Sequence, residues 1–139
     1  MFIERLVNQG NAPLVERMLA FTQKRHELIA DAIANVSTPG YVRKDLDESG
    51  FQKLLLARVA ERTRRGPGAV GFDDLKPGTR GVAEAIESGR GVLFHDRQPR
   101  SVEQLMSDLS SNALKHNMYV ELLRNQYSSI QNALRERVG

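Results

Sequence analysis

Residues 102–137 carry an apolar heptad over about 36 positions, which at 1.5 Å per residue is a helix of roughly 54 Å. A chain that commits so much of its length to one helix has few folds open to it. Val102, Leu105 and Leu109 begin the seam, and Ala113, His116, Val120, Leu123, Tyr127, Ile130 and Leu134 continue it. Between Leu109 and Ala113 the step is four where three is expected, a stutter that locally unwinds a left-handed supercoil. Ser101 reads as the N-cap, with Glu103 and Gln104 close enough for capping contacts.

A second long helix is predicted to run to about Asn35, with Pro13 in its first turn and Asn11 as a candidate cap. Val15, Leu19, Thr22, His26, Ile29, Ile33 and Val36 follow alternating steps of four and three. Leu14, Met18, Phe21, Leu28 and Ala32 widen that stripe beyond a two-helix seam, so this helix needs more than one neighbour. It is shorter than the C-terminal helix by about a third at the same rise per residue, so pairing the two leaves apolar surface uncovered. The expected assembly seam is Val15, Leu19, Ile29 and Ile33 on the first helix, with Leu105, Leu109, Val120, Leu123, Tyr127, Ile130 and Leu134 on the last.

The first helix must stop at Asn35-Val36-Ser37-Thr38-Pro39-Gly40-Tyr41. Proline removes a backbone donor, and Thr38 before it is pushed out of helical geometry. Pro39-Gly40 suits the two central positions of a type II turn, where glycine takes φ > 0 without steric cost. Capping residues at 45–48, followed by Phe51, Leu54, Leu55, Leu56 and Val59, predict another helix ending in an Arg-rich cluster. Phe2, Ile3, Leu6 and Val7 suggest a short N-terminal helix. The glycine-rich stretch 66–91 predicts loop or weak β-structure, with short extended pieces at 82–86 and 91–94. The expected organisation is an N-terminal helical segment 1–65, an irregular or weakly β middle 66–100, and a C-terminal helix 101–139. The fold class is therefore mainly α, a coiled-coil-like hairpin of terminal helices that pack as one domain.

Composition narrows the chemistry. No cysteine is present among the 139 residues, which removes disulfides and thiolate metal sites. No stretch approaches the ~20 apolar residues that span a bilayer, so no membrane insertion is expected. The first ten residues lack the basic start followed by an apolar run and a small-residue cleavage site, so no cleaved secretory signal is expected. Net charge is +3, but the one dense basic cluster, Arg58, Arg62, Arg64 and Arg65, is interrupted by Glu61 and has no interleaved aromatic for base stacking. A basic helical nucleic-acid-binding or regulatory module is the alternative reading; nucleic acid is not the expected partner.

Catalysis needs convergent groups, and the sequence offers none. His26 and His116 sit singly in helical seams, where polar edge or packing roles outweigh metal ligation. His95-Asp96 are merely adjacent, and a loop or capping role suits them. Gly66-Pro67-Gly68 and Gly78-Thr79-Arg80-Gly81 lack the ending of a phosphate loop, and Asp73-Asp74 lacks the ligand alternation of a calcium loop. No enzyme activity, cofactor or metal is expected.

Ala32-Ile33-Ala34-Asn35-Val36-Ser37-Thr38-Pro39-Gly40-Tyr41 resembles the N-terminal signature of bacterial flagellar axial proteins, the rod, hook and hook-associated family. That signature leads an Asn-(Ile/Val)-Ala-Asn segment into Thr-Pro-Gly-Tyr; here Asp31-Ala32 replaces the first Asn. Arg43-Lys44-Asp45-Leu46-Asp47 and Phe51 resemble the segment after the turn in proximal-rod proteins of the basal body. Val102-Glu103-Gln104-Leu105-Met106, Asn112-Ala113-Leu114 and Tyr127-Ser128-Ser129-Ile130 resemble that family's closing helix. The likeness covers about residues 10–51 and 100–138. The family's Gly-Asn-Asn-Val-Asp-Leu entry to the last helix is absent, with Arg97-Gln98-Pro99-Arg100-Ser101 in its place.

The resemblance implies a structural subunit of the flagellar proximal rod. It further implies type III export without signal cleavage and assembly in the periplasm, where terminal helices nest around a channel and carry torque. Partners by the same implication are other rod proteins, basal-body and export-gate components, and further copies of the chain. Asn35, Thr38, Pro39, Gly40 and Tyr41 would then reverse the chain and dock the segment that follows.

Overall fold

A computed structural model describes residues 11–66 and 102–136. Three helices account for most of them: α1 Ala12–Ala34, α2 Glu48–Arg65 and α3 Val102–Glu136. The described chain is mainly helical, and no strand occurs among the described residues. The expected helix at 2–7, the extended pieces at 82–86 and 91–94, the cap at residue 101 and His95 lie outside them.

Local chemistry sets the limits of α1. The Asn11 carbonyl accepts the Val15 N–H at 3.0 Å, and Pro13 occupies the first turn, where its missing donor costs nothing. Asn11 caps through its backbone, since its side chain makes no capping bond. At the other end the Asn35 N–H donates to the Asp31 carbonyl at 3.0 Å, closing the last α-helical turn.

The breadth of the α1 stripe is explained by two neighbours. One side meets α2 and the segment before it: Phe21, Leu46, Phe51 and Leu55 form a buried cluster, with Leu14, Met18, Leu28 and Val59 packed around it. The Phe21 and Phe51 rings stack with centroids 4.2 Å apart and planes within 8°. On the other side, Ile29 and Ala32 pack with Leu105 of α3, flanked by Ile33, Val36, Tyr41 and Leu109.

Contacts between α1 and α3 run in opposite chain directions. Ile29 lies with Leu105, Thr22 meets Asn112 and His116, and Glu16 meets Tyr127. The two helices are therefore antiparallel. With 35 residues against 23, α3 is about 18 Å the longer at helical rise.

Along α3 the side facing the rest of the fold differs from the sequence expectation at three levels, where Asn112, Tyr119 and Gln126 lie beside the expected Ala113, Val120 and Tyr127. Leu105 and Asn112 are buried, and Leu109, His116, Tyr119, Leu123, Gln126 and Ile130 are half-buried, an unbroken alternation of four and three. The stutter placed at Ala113 is therefore absent, because Asn112 takes the seam position. An amide there has one partner: Nδ2 donates to the Thr22 carbonyl at 2.8 Å, which offsets part of the cost of burial, while Oδ1 is buried without a hydrogen bond among the described residues. On α1, His26 is exposed rather than part of the seam, and the neighbouring Arg25 takes the inward place.

Replacing Phe51 by Ala removes the stack that joins α2 to α1 and is expected to cost about 3 kcal/mol. Chemical denaturation followed by circular dichroism measures this, with Phe51→Leu expected to lose less than half as much.

Candidate functional site

The motif at 35–41 folds as a staircase of short backbone bonds. Val36 N–H donates to the Ile33 carbonyl at 3.3 Å, Thr38 N–H to Asn35 at 2.9 Å, and Tyr41 N–H to Thr38 at 3.2 Å. Gly40 sits at φ +79°, so 38–41 form the type II turn that Pro39-Gly40 predicted. An added Cβ at Gly40 would meet nothing within 4 Å, and its cost would therefore be conformational rather than steric.

Asp31 holds both sides of this turn. Asn35 Nδ2 donates to its carbonyl at 2.9 Å and to its Oδ1 at 3.1 Å, while the Tyr41 hydroxyl donates to Oδ2 at 2.6 Å. The last is a short, charge-assisted bond. Burial and then the Asp31 carboxylate push the Tyr41 hydroxyl up to about 12. Sequence reasoning treated Asp31 only as a departure from a family pattern. Its spacing of four from Asn35 on the same helix face was the available signal.

After the turn, charged groups tie three elements together in one alternating path. Asp108 of α3 accepts from Arg43 at 2.9 Å, and Arg43 also reaches Asp45 at 3.1 Å. Arg25 of α1 donates to Asp45 at 3.2 Å and to Glu48 at 2.6 Å. Glu48, the first residue of α2, then pairs with Lys115 of α3. The path leaves α3 at Asp108 and returns to it at Lys115, with Asp45 and Glu48 each between two cations. Burial raises the Glu48 pKa, but Lys115 and then Arg25 outweigh it and hold the carboxyl below its usual range. Arg25 is likewise opposed by burial and held charged by Asp45 and Glu48.

Above this path is a cleft between the three helices, lined by Thr22, Arg25, Phe51, Asn112, Lys115 and Tyr119, with about 20 Å³ of space. That is room for water rather than for a metabolite. Among the described residues no group of three His, Asp or Glu side chains could hold a metal ion, and no helix is long and apolar enough to cross a membrane.

The expected seam residues divide along the molecule. Val15, Ile29 and Leu105 are buried; Leu19, Ile33, Leu109, Val120, Leu123, Ile130 and Leu134 are half-buried; Tyr127 is 37% exposed and donates to Glu16 at 2.9 Å. Ile33, Tyr41 and Leu109 gather at the turn around Ile29 and Leu105. Tyr127 lies toward the N-terminal end of α1, away from the turn. The outer face of α3 exposes Leu114, Met118 and Leu122, at 71%, 52% and 48%. Arg58 and Arg65 of the basic cluster both pair with Glu61.

No protein family, curated protein or solved structure matches this chain.

Two outcomes follow from the geometry. The folded-state pKa of Glu48 is depressed, so its stabilisation is complete above the unfolded value of 4.5 and is lost as pH falls through the folded value. Thermal midpoints recorded from about pH 6 down to pH 3 are expected to fall less steeply in Glu48→Gln, although it starts from a lower midpoint. The Tyr41 shift is upward, so its contribution is complete below the ordinary tyrosine value of 10.0 and is lost as pH rises toward about 12. Burial also raises Tyr119, and the Glu16 bond raises Tyr127, so ultraviolet titration is read as the change on Asp31→Asn, which is expected to move one tyrosine down from about 12 toward 10.0.

Proposed function

We propose that this protein is a structural subunit of the bacterial flagellar proximal rod, acting through its terminal helices and without a catalytic site or cofactor. The observation that carries the reading is the joint at 35–41. The residues that resemble the axial-protein signature form a defined turn, with glycine at positive φ, and its closing Tyr41 is packed against the helix-pairing cluster. A segment that reverses the chain while bonded to α1 and packed beside α3 suits a subunit whose mechanical load passes through helix contacts.

The finer architecture belongs to the same proposal: α1 and α3 act as a coiled-coil-like hairpin around which further copies and other rod proteins assemble. The antiparallel pairing, the greater length of α3 and the exposed Leu114, Met118 and Leu122 support it. Export without signal cleavage and a periplasmic location in the basal body complete the reading. The basic-module alternative is weakened by the pairing of Arg58 and Arg65 with Glu61 on their own helix.

The test is Gly40→Val in the native gene. A β-branched residue at φ +79° strains the turn by about 1–2 kcal/mol, so the protein is expected to be expressed and exported, while rod assembly and swimming fall sharply. Gly40→Asn, which tolerates positive φ better, is expected to restore much of both. Normal swimming and intact purified basal bodies in the valine strain would overturn the reading.

A further inference from the structure

We infer that His116, together with the heptad-spaced pair Asp108 and Lys115, is a register lock that allows α3 only one axial position against α1 and α2. This inference does not depend on the rod reading.

A regular heptad is by itself ambiguous about register, because sliding one helix by seven residues places apolar positions opposite apolar positions again. Here α3 presents such a repeat from Leu105 to Ile130. Something must distinguish the native alignment from its neighbours, and two independent features do so.

The first lies in the seam. Asn112 is 1% exposed and donates from Nδ2 to the Thr22 carbonyl at 2.8 Å. Thr22 is 3% exposed, and its hydroxyl donates to the Leu19 carbonyl at 2.9 Å. That hydroxyl has one hydrogen, so its 3.1 Å contact with His116 Nδ1 requires the ring N–H as donor. Thr22 therefore supplies an acceptor to each of two α3 side chains one turn apart. A slip of one heptad sets Ile29 or Val15 in the place of Thr22, and neither has a hydroxyl to accept the His116 ring N–H, whereas the main-chain carbonyl that Asn112 uses is common to all three. A half-buried ring N–H without its partner is disfavoured.

The second feature is ionic. Asp108 meets Arg43, and Lys115, one heptad later, pairs with Glu48. Sliding α3 one way brings Lys115 to Arg43, cation against cation. Sliding it the other way brings Asp108 to Glu48, carboxylate against carboxylate. Arg43 and Glu48 are themselves fixed by Asp45 and Arg25, so they stay with α1 and α2 when α3 moves. Opposite signs at a spacing of seven thus penalise both neighbouring registers, as flanking charges do in coiled coils.

The chain has no cysteine, so a single pair of spin labels reports the register. Labels at Ala30→Cys and Asn125→Cys, both exposed positions on different helices, are offset along the axis, and a one-heptad slip changes their separation by about 10 Å. The parent chain is expected to give one distance by pulsed electron resonance. In a chain carrying His116→Leu with Asp108→Lys and Lys115→Glu, the seam no longer singles out Thr22, and the native register now sets like charges together. A new distance displaced by about 10 Å is expected to dominate, with helicity by circular dichroism kept. The parent distance in that chain would overturn the inference. Loss of helical structure would overturn it as well, since these residues would then hold the fold together rather than choose among its registers.

Discussion

The double duty of α1 is the constraint on which this structure rests. Its buried positions face two ways, with Phe21 toward α2 and Ile29 toward α3. Among the described helices only α1 contributes buried residues to both clusters. Two small hydrophobic groups, one stacked aromatic pair and a few aliphatic side chains therefore organise three helices. Such a core is thin, and polar contacts carry more of the positional information than they do in a large globular domain.

Those contacts are arranged by element rather than scattered. Asp31 ties the end of α1 to the turn through Asn35 and Tyr41, and the charged path from Asp108 to Lys115 ties the segment after the turn to both long helices. Exposed ion pairs contribute little one at a time, but a network whose members are each flanked by opposite charge gains geometry as well as energy. The turn thus does more than end a helix. It delivers Arg43, Asp45 and Glu48 to the places where three elements meet.

For a subunit proposed to transmit load through packed helices, this division of labour is physically sensible. The inner faces of α1 and α3 hold the subunit together, while Leu114, Met118 and Leu122 on the outer face of α3 retain apolar area in water. The cleft between the helices has about 20 Å³ of space, and Arg25, Glu48, Asn112 and Lys115 in its lining are engaged in contacts between the helices.

Much of the fold was legible from residue pattern. The limits of α1 and α2, the type II turn at Pro39-Gly40 and the need of α1 for two neighbours follow from local sterics and from the width of an apolar stripe, which are properties of nearby residues. What periodicity could not reveal was the place of a polar residue in an apolar seam. Asn112 reads as a break because hydropathy is assigned one residue at a time, yet it is buried because the Thr22 carbonyl, ninety positions away, accepts its amide proton. The roles of Asp31, Arg25, Arg43, Asp45 and Glu48 were hidden for the same reason, since charged residues on a helix or loop look solvated until their partners are known. By itself, then, the sequence determined where helices begin and end and which faces seek cover. The tertiary structure decided which cover each face received and in what register, because those choices depend on partners that meet only when the chain folds back on itself.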